Sequence, residues 1–379
     1  NTTNHFDGLD RIHLSQLPEH RDFRFGWDPA GNRTHEINAN GRRTDFHYDI
    51  LDRLVTVECP ELDDGVRHTS SSTYDRVGNQ ITATDRNGHT TTFTYDNLNR
   101  VVEVFDPELA GPPPLQYSVT TTYDAVGNRV AETDRRGIES RWVNDRENRV
   151  TEAFRDGVRI ATTQYDAAGN PEFLTDANGN TTRTIFDERN LELRIERPEQ
   201  SITSLTRNAM GDVVRELDGE NKETTRGFDF RRRLASETNG EGETTAFTYD
   251  FVGNMTQVER PLGPDWTWRR AYDEANRLVR VTDPLGHTTN YEWDGQNNLR
   301  GRVDANSRGT YLNYDALDRL TDLWYPDATH SAFTYDGNGN RITSADPKGQ
   351  TVTSNYDELD REVLRTYSAP VHPVGDVLQ

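Results

Sequence analysis

An aromatic–aspartate pair returns along this chain at a spacing that only a repeat architecture produces. It stands at Phe6, Trp27, Tyr48, Tyr74, Tyr95, Tyr123, Tyr165, Phe186, Phe228, Tyr249, Tyr272, Trp293, Tyr314, Tyr335 and Tyr356, each followed by Asp. Two degenerate copies, Asn144-Asp145 and Arg207-Asn208, keep the spacing. Of the 16 intervals between these 17 anchors, 13 are 21 residues long, and the others are 26, 28 and 23. A fixed period of this length marks like units stacked on one another, each burying its apolar face on the next. The expectation is one continuous array over residues 1–379.

The anchors also alternate. One type reads YDxLxRL, as in Tyr314-Asp315-Ala316-Leu317-Asp318-Arg319-Leu320, and the other YDxxGN, as in Tyr123-Asp124-Ala125-Val126-Gly127-Asn128. The unit is therefore a pair of about 42 residues. Inside it the pattern is β. A short alternating segment such as Arg129-Val130-Ala131-Glu132-Thr133 follows the YDxxGN turn. A second D-x-x-G turn comes next, as at Asp85–Gly88 and Asp176–Gly179. A Thr/aromatic segment such as Thr90–Tyr95 then leads into the following anchor. Asn and Gly tolerate the positive φ of hairpin turns, and Thr and Tyr suit a pleated, half-buried surface. Each repeat should hold two strands of about five to seven residues. Leu98, Leu317 and Leu359 are expected at equivalent buried positions, and Gly127, Gly253 and Gly339 at tight turns with positive φ. The surplus residues of the long intervals are placed in loops at Glu61–His68, Leu109–Gln116 and Leu262–Asp265, because a one-residue slip would invert the faces. These loops are the expected contacts with partner chains.

Composition alone would suggest disorder. Leu, Ile, Val and Phe make up only about 20% of the residues, and the formal charge is −21. The repeat decides against that. No run reaches the roughly 18 to 20 apolar residues of a membrane helix. The single cysteine, Cys59, rules out an internal disulfide framework and a Cys-based zinc site. The acidic balance argues against a nucleic-acid partner. Of the 43 basic residues 41 are arginine, Lys222 and Lys348 being the lysines. The chain begins at Asn1 with no signal-peptide pattern and reads as a piece of something longer.

No residue pattern carries catalysis. The anchor tyrosines are needed in every copy, as a packing element is, so each ring is expected on rings of neighbouring hairpins and each Asp on turn amides. The runs Asp176–Asn180 and Asp336–Asn340 resemble half of a calcium loop but lack its Gly and Glu, and read better as hairpin turns. The histidines (5, 13, 20, 35, 47, 68, 89, 287, 330 and 372) show no ligand spacing, although His13 and His20 share a neighbourhood. Ser70-Ser71-Ser72 lacks a nucleophile elbow and reads as loop or strand edge. Cys59 reads as structural. The Asn-x-Thr matches at Asn1, Asn32, Asn180 and Asn254 read as chance, and Asp63-Asp64 as solvated loop. The sequence therefore points to no catalytic, cofactor-binding or metal-binding residue, no cofactor, and no enzyme.

The alternating YDxxGNR and YDxLNRL motifs, with T-D-x-x-G-x-T-T-x-F-x-Y-D between them, resemble the YD repeats of the RHS family over residues 6 to 367. That family includes bacterial Rhs polymorphic toxins, the C component of insecticidal toxin complexes and teneurins. The resemblance implies an all-β fold, a curved antiparallel sheet of tandem hairpins forming part of a spiralling hollow shell. It implies a wall segment that encapsulates an effector or toxin domain for delivery. An extracellular adhesion or recognition module and a structural fibre are the alternatives. Expected partners are further repeats or subunits of the same assembly and an enclosed effector domain, with no integral membrane segment, in a secreted or cell-surface setting. The family's closing Y-D-P-x-x-G-R-F-x-x-x-D-P segment and its aspartyl autoprotease region are not visible, so no cleavage residue carries over.

Overall fold

The computed structural model describes residues 2–18, 21–62, 65–107, 109 and 117–368. Its 34 strands, from Thr3–Phe6 to Glu362–Tyr367, belong to one sheet. Consecutive strands pair antiparallel wherever their register is defined, as in Thr82↔Thr92 and Ala131↔Arg141. The fold is all-β, as the alternation of Thr, Val and aromatic residues between turn signals requires. The strands Thr90–Tyr95 and Arg129–Thr133 have the bounds read from the sequence. A 3-10 turn, Pro264–Trp266, precedes the strand Thr267–Tyr272.

Seventeen anchors and 34 strands give two hairpin turns per repeat, and the two turns differ. Where an aromatic anchor ends its strand, the ladder slips by one residue, as between Thr122 and Tyr123 opposite Arg129. The D-x-x-G turns, as between Arg129–Thr133 and Glu139–Asn144, show no such slip. A bulge of this kind re-aims one side chain and adds local twist. Here it turns the aromatic ring back over the preceding hairpin.

By contact density the chain forms two compact units. One holds the residues up to Tyr117, Ala271–Val281 and those from His287 onward; the other holds Ser118–Arg270 and Thr282–Gly286. Neither has an ordinary core. Among the described residues the buried apolar side chains are Cys59, Leu62 and the prolines Pro60 and Pro107, while most strand positions on both faces are half-buried. A single layer of sheet cannot do more, which explains why about 20% Leu, Ile, Val and Phe suffices. Cohesion has to come from hydrogen bonds and strand-to-strand contact.

The first and third long intervals are absorbed as loops. Between the strands Leu54–Glu58 and Thr69–Tyr74 the surplus forms its own turn (Gly65 N–H to Leu62 O, 2.9 Å), and Thr56↔Ser71 stays in register. The 3-10 turn occupies the third loop, with Gln257↔Arg269 paired beside it. The second loop, apart from Leu109, lies outside the described residues. One expectation is corrected. Leu98, Leu317 and Leu359 do occupy equivalent positions, two residues after the anchor Asp, but these positions are turn tips rather than interior. Leu98 is 67% exposed and the other two are half-buried.

Candidate functional site

Each anchor aspartate builds its own turn. Asp96 Oδ1 accepts the N–H of Leu98 (2.9 Å) and of Arg100 (3.0 Å), while the Asp96 and Asn99 amides close the backbone ring. The residue three after the Asp lies in the left-handed region. It is Gly in the YDxxGN type (Gly127 φ 102°, Gly253 111°, Gly339 101°) and Asn or Asp in several of the other (Asn99 58°, Asp318 60°, Asp360 57°). The two motif types are thus one turn with two solutions to the same φ, since Gly bears no Cβ and Asn and Asp tolerate αL.

The residue after it makes the link to the next repeat. In the YDxLxR type it is arginine. Arg53 Nε donates to Asp49 Oδ2 (2.7 Å), Nη1 reaches the Asp75 carbonyl of the following repeat (2.7 Å), and the guanidinium lies 4.9 Å from the Tyr74 ring centroid. Arg233 repeats this toward Asp250 and Tyr249, and Arg319 toward Asp336 and Tyr335. In the YDxxGN type the residue is asparagine, and it reaches the left-handed residue of the next turn, as Asn79 to Asn99 (2.9 Å) and Asn128 to Asn148 (2.8 Å). The anchor ring completes the lattice. Tyr95, Tyr165, Tyr249, Tyr314 and Tyr335 each donate O–H to a carbonyl 15 residues earlier, as do the indole N–H groups of Trp27 and Trp293. Tyr74 reaches back 20 residues to Leu54, because five surplus residues intervene. The expected ring-on-ring packing of Tyr74, Tyr165, Tyr249 and Tyr335 is therefore replaced by arginine over the ring and a carbonyl at its tip. In a sheet without a thick core, charge-assisted and cation–π contacts take over from apolar packing.

These bonds lower the pKa of several anchor carboxyls. The Arg11 side chain, helped by its own amide, brings Asp7 from 3.8 to about 2. Asp96 and Asp145 are lowered for the same reason by Arg100 and Arg149, and Asp124 and Asp166 by the side chains of Asn128 and Asn170.

Within the first unit the anchor turns of late repeats meet the turns that join early repeats, Asp85–Gly88 and Asn38–Gly41, and the strand start at Arg21, 249 to 276 residues away. The bonds are reciprocal. Asn338 Nδ2 donates to Asp85 Oδ2 (2.7 Å), Asn87 Nδ2 to Asp336 Oδ2 (3.0 Å), and the Arg86 amide to Asn338 Oδ1 (3.1 Å). One paired unit earlier, Asn40 donates to Asp294 (3.1 Å), Arg42 to the carbonyls of Tyr314 and Asp315, and Arg21 to Asn297 (2.7 Å). The contact is close at the two turns where glycine follows the anchor Asp. A Cβ on Gly295 would lie 3.0 Å from Asn40 Oδ1, and one on Gly337 would lie 2.8 Å from both Asn87 Oδ1 and His68 Nδ1. Several turns outside this contact carry bulk at the same position: Ile50 is 99% exposed, Phe230 89% and Phe251 83%.

The remaining sequence candidates are accounted for by the same lattice. Asp176 and Asp336 are turn acceptors whose partners are Asn180 and Asn340. Asn32, Asn180 and Asn254 donate to the carboxylates four residues before them. His13 packs against His5, while His20, His372, Asn1, Asp63 and Asp64 lie outside the described residues. Cys59 is buried, its amide bonded to the His68 carbonyl. Ser70-Ser71-Ser72 is a correction: it sits inside the strand Thr69–Tyr74, paired on both sides rather than at an edge. Among the described residues no group of three or more His, Cys, Asp or Glu could hold a metal, and no helix is long and apolar enough to cross a membrane. Gly295 and Asn87 were not singled out by sequence, and Gly337 and Asn338 were read only as part of the hairpin turn Asp336–Asn340. The available signal was Asp-Gly after the aromatic in two late repeats, at Asp294-Gly295 and Asp336-Gly337.

Comparison with known proteins places this geometry. The family model described as Teneurin YD-shell matches residues 128–367, and that described as RHS Repeat matches residues 24–61 and 74–108. No curated protein matches the chain. Among solved structures, the crystal structure of TcdB2-TccC3 aligns with TM-score 0.78 and 16% identity over 98% of this chain. That of TcdB2-TccC3-TEV aligns at 0.69 and 15% over 95%, and that of a Photorhabdus luminescens Tc holotoxin pore at 0.64 and 16% over 97%. These alignments cover 24%, 23% and 21% of the respective chains, so this chain spans about a quarter of their length or less. At such identities the likeness is one of fold.

Proposed function

This chain belongs to the teneurin YD-shell family, and on that footing we propose that it is a wall segment of a shell that encloses an effector or toxin domain for delivery. The observation that carries the reading is the turn-to-turn contact of the first unit, where Asn338 and Asn87 exchange bonds with Asp85 and Asp336. A continuous wall needs two kinds of joint, strand to strand within a row and turn to turn between rows. The hairpin lattice supplies the first and this contact the second. The fold shared with TcdB2-TccC3 agrees with a role in a multi-subunit assembly. The role is structural rather than enzymatic, since the polar side chains with chemical potential are consumed in turns and links. Further repeats or subunits of the same assembly are the partners, and the setting is secreted or cell-surface.

The test uses the parent polypeptide and follows protease resistance of whatever segment accompanies these repeats. The reading expects that segment to be protected in the wild type and cut in the Gly337→Val variant, whose added side chain crowds Asn87, His68 and the Arg86 carbonyl. Equal cleavage of that segment in both would overturn it.

A further inference from the structure

The turn-to-turn contact of the first unit is a seam held largely by asparagine amides, and the asparagines that donate them share a feature. Asn40, Asn87 and Asn338 each stand directly before a glycine, as Asn40-Gly41, Asn87-Gly88 and Asn338-Gly339. The sequence contains five Asn-Gly pairs, the others being Asn178-Gly179 and Asn239-Gly240. Each seam asparagine donates to a carboxylate of a distant repeat: Asn40 to Asp294 (3.1 Å), Asn87 to Asp336 (3.0 Å) and Asn338 to Asp85 (2.7 Å). Asn338 also reaches Asp360 (3.1 Å).

In an Asn-Gly pair the asparagine side chain is open to attack by its own backbone, because glycine has no Cβ to hinder the approach. The glycine nitrogen bonds to the asparagine Cγ, the Cγ–Nδ2 bond breaks, and Nδ2 leaves as ammonia with the proton of the glycine amide. Water then opens the resulting succinimide to aspartate or isoaspartate, with no change of oxidation state. The closed seam opposes the first step by fixing the side chain. Asn338 Nδ2 is held by Asp85 while its Oδ1 accepts the Arg86 N–H (3.1 Å). Gly337 lies against Asn87 and Gly295 against Asn40, so these side chains swing only when the turns part. The backbone is not the difference. Gly88 N–H meets the Asp85 carbonyl at 3.1 Å, and Gly179 N–H meets the Asp176 carbonyl at the same 3.1 Å. Asn178 therefore stands in the same D-x-N-G turn as Asn87, but exposed and outside the seam.

We propose that Asn40, Asn87 and Asn338 are deamidation sites that make any opening of this seam permanent. While the turns are joined the reaction is slow, and its rate follows the population in which they have parted. The product reverses the chemistry of the joint. A donor amide becomes a carboxylate facing Asp294, Asp336 or Asp85, and like charges at hydrogen-bond distance oppose one another. Isoaspartate also adds a methylene to the turn backbone. A transient opening is thereby fixed as a lasting one, with water as the sole co-reactant. This chemistry depends on the seam alone, whatever the wall encloses.

The experiment incubates the full chain at mildly alkaline pH and follows each Asn-Gly peptide by mass spectrometry. Asn40, Asn87 and Asn338 should all deamidate more slowly than Asn178, the latter two at least about fivefold. Gly337→Val and Asn338→Ala part the turns by crowding and by lost bonds, and each should raise the Asn87 rate with Asn178 unchanged. Asn178 is the internal reference: a variant that raises it as well has unfolded, and the other variant then decides. The double variant Asn87→Asp, Asn338→Asp carries the product carboxylates. It should lower hydrogen-exchange protection of the Arg86 amide at least about fivefold, whereas Asn178→Asp should leave that amide as in the wild type. Equal rates at Asn87 and Asn178 in the wild type, an Asn87 rate that neither seam variant raises, or an Arg86 amide still fully protected in the double variant would overturn the assignment.

Discussion

Gly337 lies against His68 so closely that a single added methyl would come within 2.8 Å of the imidazole Nδ1. Gly8 holds the same place after its own anchor Asp and has nothing within 4 Å. Neither needs a positive φ, so the pair separates packing from backbone strain. Gly337→Val should destabilise by about 1–3 kcal/mol through overpacking. Gly8→Val should stay within about 0.5 kcal/mol. Denaturant unfolding of both variants checks this.

Burial sets the worth of the arginine links. The Arg319–Asp315 pair has side chains only 16% and 6% exposed, whereas Arg361 in the pair with Asp357 is 56% exposed. Removing the guanidinium in Arg319→Met leaves a buried carboxylate unpaired, at a cost of about 3 kcal/mol. Arg361→Met should change the unfolding midpoint far less. Equal losses would mean that the links act through something other than desolvated charge.

The lattice should fail in acid. Asp7 titrates at about 2 rather than 3.8, and Asp96 and Asp145 are held low by the same arginine bonding. A carboxyl whose folded value is depressed adds stability that is complete above its unfolded value and is lost as pH falls through the folded one. Stability should therefore be level above about pH 4 and drop toward about pH 2. Thermal melts across that range, with Asp7→Asn as a variant whose acid-sensitive part is smaller, give the readout. A flat profile would contradict the assigned bonds.

The left-handed turn position gives an asymmetric pair. Gly253 has φ 111°, where a Cβ is strained, while Asn99 at 58° already tolerates one. Gly253→Ala should cost about 1–2 kcal/mol. Asn99→Gly should cost less, losing mainly the bond from Asn79. Unfolding curves of the two distinguish them.

Much of this fold could be read from the sequence because it is local. The period, the two-phase alternation, the strand Thr90–Tyr95 and the turn glycines all follow from residues within one repeat. Three features could not be read that way. Leu98 looked like core because an apolar residue recurs there, yet in a one-layer sheet a turn tip has nothing to cover it. The tyrosines looked like a ring stack, yet the bulge aims each toward the arginine and backbone of the preceding hairpin. Gly337 passed as an ordinary turn residue, since its neighbours His68 and Asn87 are 250 residues away or more and no short-range pattern encodes that approach.

The central claim is that late repeats dock on early ones through their turns. Its most direct test is amide hydrogen exchange on the full chain, wild type against Gly337→Val. The reporter is Arg86, whose N–H is held by Asn338. Residues 85–88 and 336–339 should lose protection together in the variant, with the turn around Gly8 unchanged. If 336–339 alone responds and Arg86 exchanges as in the wild type, the two turns are not joined and the account is wrong.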